Sequence, residues 1–209
     1  RLEKLVSRVE EAKRRRKTAR EETEKIMQAA LHEVFSKAEE KGWKEVKIGD
    51  VKEEVISGFP RSKSYMDPDG VIHLRPNNIG SQGKLNLSTV IRVLPPQKVD
   101  VEKYYLKTGD VLFNNTNSVE LVGRAVIVDG DLPFTFSNHI TRIRVKKEII
   151  LPKWLVFSIN YLWQEGYFQK RCRRWIGQAG FNTAMLLSTK VFLPPIEEQK
   201  VLVLYLSLI

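Results

Sequence analysis

The chain has 209 residues, of which 42% are hydrophobic, and this is enough for one ordinary domain plus an appendage. No apolar run approaches the roughly 20 residues that a bilayer-spanning helix needs. The single cysteine, Cys172, excludes an internal disulfide and favours a reducing compartment. The formal net charge of +10 points to a polyanionic partner, without separating a nucleic acid from a membrane surface.

The first 41 residues contain neither glycine nor proline, and Gly42 follows as a stop signal, so the sequence predicts one helix of ~60 Å. A 3-4 spacing gives this helix a seam typical of a coiled coil or spacer. The residues predicted in this dimer or helix seam are Leu2, Leu5, Val9, Ala12, Ala19, Ile26 and Ala30. Past Ile26 the apolar stripe widens, which is typical of docking on a globular body.

A basic cluster at residues 13–17, with Arg20, lies in the middle of this helix. Glutamates flank it on both sides, so a solvated helix face is one interpretation. Contact with DNA phosphates or with an acidic partner subunit is the other, and the sequence leaves both open.

Two polar loops, residues 57–65 and 75–84, precede strands predicted at residues 71–74 and 89–93. Both loops combine cations with side-chain amides. Cations neutralise phosphates, whereas amides and arginines also read base edges. The DNA contacts predicted in these loops are Arg61, Lys63, Arg75, Asn77, Asn78 and Lys84.

The rest of the chain is organised around residues 109–128. Two apolar runs, 111–113 and 125–128, are typical of buried strands bounded by turns. The loop between them carries three candidate DNA-binding amides, Asn114, Asn115 and Asn117. An asparagine amide donates and accepts at once, which suits the N6/N7 edge of adenine. A polar hairpin loop without a ligand is equally compatible with this spacing.

Further along, residues 138–145 alternate imperfectly, as a half-buried strand would, and Pro152 begins a helix. A strongly basic segment follows, and then a loop that we interpret as having two flexible glycine hinges. The DNA contacts predicted here are Lys170, Arg171, Arg173, Arg174, Gln178 and Asn182. Two prolines and two glutamates near residue 195 indicate the start of a second helix.

Catalytic chemistry is not indicated. The three histidines, His32, His73 and His139, stand in unrelated contexts, and no spacing of metal ligands is present. A phosphate-binding glycine loop and a nucleophile with a matched base are also missing. We therefore predict a binding protein that is not an enzyme and that binds no metal or cofactor itself.

Residues 109–128 resemble the signature of the specificity subunits of type I restriction–modification enzymes. In that signature Gly-Asp and a hydrophobic run lead into Asn-Ser and then Leu-Val-Gly-Lys/Arg, and this chain has Leu-Val-Gly-Arg. Residues 181–183, the stretch Pro-Pro-Ile-Glu-Glu-Gln at 194–199 and the charged N-terminal helix fit the same family. The resemblance covers nearly the whole chain, with one departure, because many relatives carry arginine at the position of Asn115.

The resemblance implies an α+β fold in which a mixed target-recognition domain of short strands and helices is attached to a long coiled-coil-type helix. It divides the chain into a spacer and dimerisation helix (1–41), a DNA target-recognition domain (42–193) and the start of a second conserved helix (194–209). Full-length relatives join two recognition domains by two antiparallel helices.

The implied function is recognition of a split sequence in double-stranded DNA, in the cytoplasm of a prokaryote. The implied partners are methyltransferase (modification) subunits, which bring S-adenosylmethionine, and a restriction/translocase subunit, which uses ATP and Mg²⁺. A half-length chain would also pair with a second copy of itself. Two alternatives stay open: a stand-alone sequence-specific repressor, and a domain of an enzyme whose catalytic part has been lost.

Overall fold

The computed structural model describes residues 2–81 and 83–209, and the side chain of Arg20 lies outside the described part. Within it, the helices are α1 (Leu2–Ser36), α2 (Ile48–Val51), α3 (Pro152–Gln164), α4 (Tyr167–Arg171), α5 (Thr183–Ser188) and α6 (Ile196–Ser207). The strands are β1 (Lys44–Lys47), β2 (Lys52–Ser57), β3 (Met66–Leu74), β4 (Arg92–Val93), β5 (Val111–Asn114), β6 (Thr116–Asn117), β7 (Ala125–Ile127), β8 (Phe134–Phe136), β9 (Ile140–Val145), β10 (Arg173–Trp175), β11 (Gln178–Gly180) and β12 (Lys190–Leu193). No helix among these residues is long and apolar enough to cross a membrane.

The long N-terminal helix is confirmed as α1, but it ends at Ser36 rather than at residue 41. Residues 37–42 continue as turns, and Gly42 has the left-handed φ of +68° that a helix stop favours. The C-terminal part of α1 packs on α3, where the Phe35 ring stacks at 4.8 Å on both Trp154 and Tyr161. Ala30 belongs to this buried contact, so its place in an open helix seam is corrected.

A four-stranded sheet in the order β2-β9-β5-β7 lies between two hydrophobic layers. Val111 and Phe113 of β5 join the core beneath α1 and α3, whereas Leu112 joins a second core beneath β3 and β8. A strand covered on both faces is a continuous apolar run. The two strands predicted in residues 109–128 are confirmed, with Leu112 of β5 opposite Val126 of β7.

Strand β9 is buried on both faces, although its alternation of apolar and polar residues predicts a half-buried strand. Arg142 is buried and donates to the Glu54 carboxylate at 2.7 Å and to two backbone carbonyls. Its neighbour Arg144 donates to Asp110, again at 2.7 Å. Burial lowers the pKa of Arg142, whereas the hydrogen bond that Arg144 donates to the Asp110 carboxylate raises the pKa of Arg144. Since an unpaired buried charge is very unfavourable, these four groups hold one another inside the protein.

Helix α6 runs antiparallel to α1. Its first turn contacts Trp43, whose indole donates to Glu198 at 3.1 Å, and its end lies beside Thr23 and Met27 of α1. The glutamine of the Pro-Pro-Ile-Glu-Glu-Gln stretch, Gln199, is fully buried. It donates to the carbonyls of Ile149 and Pro194 and accepts from the backbone N–H of Leu151. This stretch therefore fixes α6 to the loop that leads into α3.

Candidate nucleic-acid interface

The two arginines of β10, Arg173 and Arg174, are connected through β11 to the amide-rich loop after β5. Strand β11 pairs with β6 of that loop, so that Ala179 faces Asn117, and β10 pairs with β11 on its other side. The stretch that the sequence analysis interpreted as a loop with two glycine hinges is thus part of a β-hairpin. Gly177 has a φ of +73° at the turn, and the Trp175 ring lies across Gly180, where an added Cβ would come within 2.6 Å of it.

Hydrogen bonds to backbone carbonyls fix the conformation of the loop between β5 and β7. The amide of Asn114 donates to the carbonyl of Leu121 at 3.0 Å, and its backbone carbonyl accepts from Gly123. Gly123 has a φ of +98°, and a Cβ there would lie 2.3 Å from the Phe168 ring of α4. Only glycine fits both demands, which accounts physically for the glycine in Leu-Val-Gly-Arg.

Three of the amides predicted to read bases are buried, and that prediction is corrected. The Asn115 amide donates to the Asn138 carbonyl and to the Thr141 hydroxyl, and its oxygen accepts from Thr116. The Asn78 amide donates to two backbone carbonyls, both at 2.8 Å. Together with Asn114, these side chains fix the loops from inside, and of the three Asn115 alone also lines the groove described below.

An open groove of about 380 Å³ lies where the loops meet. Its lining residues are Ser57, Asn115, Thr116, Asn138, Arg173, Trp175, Gly180, Phe181, Asn182 and Thr183. Two predicted DNA contacts, Arg173 and Asn182, are brought together here. The Asn182 oxygen accepts from the N–H of Met185 and so caps α5. The lining contains hydroxyls, amides, an arginine and an indole, and it contains no carboxylate.

A second group of predicted residues is linked to this groove through His139. Arg75 donates to the carbonyl of Arg61, and the Arg61 guanidinium lies 4.1 Å over the Tyr65 ring. Arg75 also lies close enough to His139 to lower its pKa, in addition to the larger effect of burial. The His139 carbonyl accepts from the N–H of Asn115, which connects this group to the groove wall.

His73 lies buried behind the same arginines. Burial and, to a smaller degree, the charge of Arg75 lower its pKa to about 4, so its ring is neutral at pH 7. The Thr135 hydroxyl donates to the carbonyl of Ile72, and it therefore accepts from Nδ1–H of His73 at 2.8 Å. The burial and the hydrogen bond give His73 a structural position.

The remaining basic residues lie on and beside α4. Arg174 donates to the carbonyl of Gln169 at 2.7 Å and ties β10 to that helix. The Arg171 guanidinium lies 4.0 Å over the Tyr167 ring, and Lys170 donates to the Glu165 carbonyl. Carbonyls and rings leave the positive charges of these side chains available to an anion.

The other predicted DNA contacts lie outside the groove lining. Lys63 and Asn77 are exposed in short 3₁₀ turns, Asn77 beside Arg75. Asn117 is half-buried in β6, and its oxygen accepts from the N–H of Ser118. Gln178 accepts from the Trp175 indole at 3.0 Å. Lys84 is not brought to the groove, because it lines a separate crevice beside α1 and α3.

Sequence reasoning missed Trp175, Asn138 and Thr116. Trp175 directly follows two arginines and precedes a glycine turn, which is a usable hairpin signal. Asn138 and Thr116 gave no signal, since nothing in the sequence indicates that the loop before β9 packs beside β6. Among the described residues, no group of three or more histidines, cysteines and carboxylates is placed to hold a metal ion.

The sequence of residues 40–208 matches the family described as "Type I restriction modification DNA specificity domain". The chain belongs to this family. A relative from Methanocaldococcus jannaschii, the MjaX type I restriction enzyme specificity subunit, is 28% identical over 187 residues, which is 87% of this chain and 44% of that protein.

Solved structures of the family have the same fold. The HsdS subunit from Thermoanaerobacter tengcongensis is 26% identical, with a TM-score of 0.60 over 99% of this chain and 48% of that one. A chain from a study of complex assembly and conformational transition of the type I R-M system has a TM-score of 0.65 at 25% identity, with coverage of 99% and 48%. The S subunit from M. genitalium, at 14% identity and a TM-score of 0.56, covers 79% of this chain and 38% of its own, and supports the fold alone. The α+β fold with a long helix is thereby confirmed, and the chain spans about half the length of these relatives.

Proposed function

We propose that this chain selects the DNA sequence on which a type I restriction–modification system acts. The observation that carries the proposal is the groove, which offers hydrogen-bonding groups and an arginine without any carboxylate. A duplex presents phosphates, which Arg173 in the groove and the other predicted cations can neutralise, namely Arg61, Lys63, Arg75, Arg171 and Arg174. Base edges would be read by the solvent-facing amides that line it or lie at its rim.

The test is selection of bound sequences from a random duplex library, with the chain alone and with the chain reconstituted with methyltransferase subunits. Enrichment of one sequence, sharper in the complex, is the expected result. Recovery of the input sequence distribution in both cases would contradict the proposal, because charge alone binds DNA without preference.

The same proposal gives the chain no catalytic role. Methyltransferase subunits would bring S-adenosylmethionine, and a restriction/translocase subunit would use ATP and Mg²⁺, all in a prokaryotic cytoplasm. Membership of the specificity-domain family supports this division of labour. Methylation, cleavage or ATP hydrolysis by the purified chain on duplex DNA would contradict it.

Pairing of two copies is a further part of the proposal. Leu2, Leu5 and Val9 of α1 are 75%, 54% and 53% exposed, and α6 exposes Val201 and Leu204. Apolar surface in water is unfavourable by about 25 cal/mol per Å². An antiparallel two-fold dimer would cover both stripes and hold two recognition domains apart, so that the pair reads a palindromic split site.

Sedimentation tests the pairing. The chain is expected to be a dimer at micromolar concentration, and Leu5→Glu with Val9→Glu should make it a monomer. Ser7→Glu, which lies off the seam, is the control and should leave the dimer intact. A monomer that is unchanged by all three substitutions would rule the pairing out.

A further inference from the structure

The tip of the β10–β11 hairpin carries the most exposed apolar side chain of the described residues. Ile176 has a relative exposure of 102%, and it is one of only two residues that join the paired strands. Two-residue turns favour asparagine, aspartate and glycine at such positions. An isoleucine there contributes nothing to the packing of the domain.

The hairpin below this tip is anchored at several points. The Trp175 indole donates to the Gln178 side chain at 3.0 Å, and its ring covers Gly180. Ala179 is buried and pairs with β6, and Arg174 donates to α4. A fixed stem therefore presents a fully exposed apolar tip, which lowers the entropy loss on binding.

The charges around the hairpin indicate what this tip meets. Arg173 and Arg174 lie on β10, and Lys170 and Arg171 lie on the helix just before it. Residues 166–182 contain no aspartate or glutamate. An apolar tip at the end of a basic strand matches a nucleic acid, where phosphate strands border the apolar faces of stacked bases.

We propose that the hairpin enters a groove of the bound duplex and that Ile176 acts as a wedge against one base step. This inference rests on the proposed function and deepens it, because it assigns a deformation of the DNA to one residue. Ile176 and Gly177 offer no side-chain hydrogen bond, so the tip does not read base edges. Apolar side chains instead insert between bases, partly unstack them and kink the duplex.

A wedge predicts a preference at a place where no hydrogen bond reads the base. Pyrimidine–purine steps unstack more easily than other steps, so such a step is expected at the position the hairpin occupies. The cost of unstacking is a few kcal/mol, and phosphate contacts from Arg173 and Arg174 would offset it.

The experiment uses duplexes recovered by selection with the full chain, with 2-aminopurine placed at each adenine position in turn. Wild-type protein should raise the fluorescence at one step. Ile176→Asn, which suits the turn and removes the apolar tip, should abolish the rise and weaken binding about tenfold, which corresponds to about 1.4 kcal/mol. Ile176→Leu should keep both.

A duplex with a mismatch at that step supplies the decisive control. Because the mismatch is already partly unstacked, Ile176→Asn should bind it nearly as well as the wild-type protein does. Two results would overturn the wedge alone, provided that the chain still binds a specific sequence. One is fluorescence that stays unchanged at every step, and the other is equal affinity of wild type and Ile176→Asn for the intact duplex. Failure of the wild-type chain to select any sequence would overturn the wedge and the proposed function together.

Discussion

The signature loop and the hairpin beside it are neighbours in one small sheet, yet they use their polar residues in opposite ways. In residues 109–128, Asn114 and Asn115 are buried and bound to the protein's own backbone and hydroxyls. In the hairpin, every side chain of β10 is exposed. The comparison teaches that the most recognisable stretch of the sequence fixes the site, whereas the less distinctive basic stretch presents the charges.

The largest expected effect concerns Gly123, where the signature loop packs against Phe168 of α4. Gly123→Ala should lower the free energy of unfolding by about 4 kcal/mol, because the left-handed backbone and contact with the Phe168 ring both penalise a Cβ. Gly130→Ala is a matched control, since Gly130 has a φ of +102° and open space. The Gly130→Ala variant should lose only about 1–2 kcal/mol of the free energy of unfolding, measured in urea. Equal losses would mean that the packing of α4 on the signature loop is not tight.

The pH dependence of stability tests whether His73 is held buried and neutral, in contrast to the exposed groups of the hairpin. His73 has a pKa lowered from 6.5 to about 4, so the unfolded chain binds the proton more readily. Stability is therefore complete above pH 6.5 and declines as the pH falls toward 4, by about 3 kcal/mol from this group.

Carboxylates titrate in the same range, so the comparison is with His73→Gln. Between pH 7 and pH 4 the free energy of unfolding of the variant, measured in urea, should fall by about 3 kcal/mol less than that of the wild type. An identical pH dependence in the two proteins would show that His73 is not held neutral by the fold.

The amides of the signature loop should separate into structural and exposed ones. Asn115→Ala removes three hydrogen bonds and leaves buried partners unsatisfied, so we expect a loss of about 2 kcal/mol. Asn117→Ala should change stability by less than about 0.5 kcal/mol and instead relax preference at particular bases, by roughly 1–3 kcal/mol if the contact is bidentate. Thermal unfolding and binding to selected and scrambled duplexes measure the two effects. Equal loss of affinity for both duplexes in Asn117→Ala would contradict the assignment.

The smallest effect is expected for single phosphate contacts. Arg173→Ala and Arg174→Ala should each weaken binding to all sequences and reduce the slope of log affinity against log salt by about 1. Titrations between low and physiological salt provide the slopes. A wild-type affinity that does not change with salt would show that these arginines do not contact phosphates.

The sequence alone predicted the elements that local pattern determines. The strands of residues 109–128, the helix at Pro152 and the helix after Pro195 carry strong periodic or capping signals, and the structure has all of them. The buried roles of Asn78 and Asn115 and the pairing of β11 with β6 depend on contacts between distant segments. An asparagine that caps a loop from inside has the same local pattern as one that reads a base, so burial could not be predicted.

Two charge reversals test directly whether position on the surface, rather than net charge, determines the binding of DNA. Arg173→Glu and Lys84→Glu change the charge of the chain equally, but Arg173 lines the groove and Lys84 lines a crevice beside α1. The affinity of each variant for a selected duplex, measured at one fixed salt concentration, is the measurement. We predict a large loss for Arg173→Glu and an affinity close to wild type for Lys84→Glu. Equal losses in the two variants would contradict the assignment of DNA binding to this face.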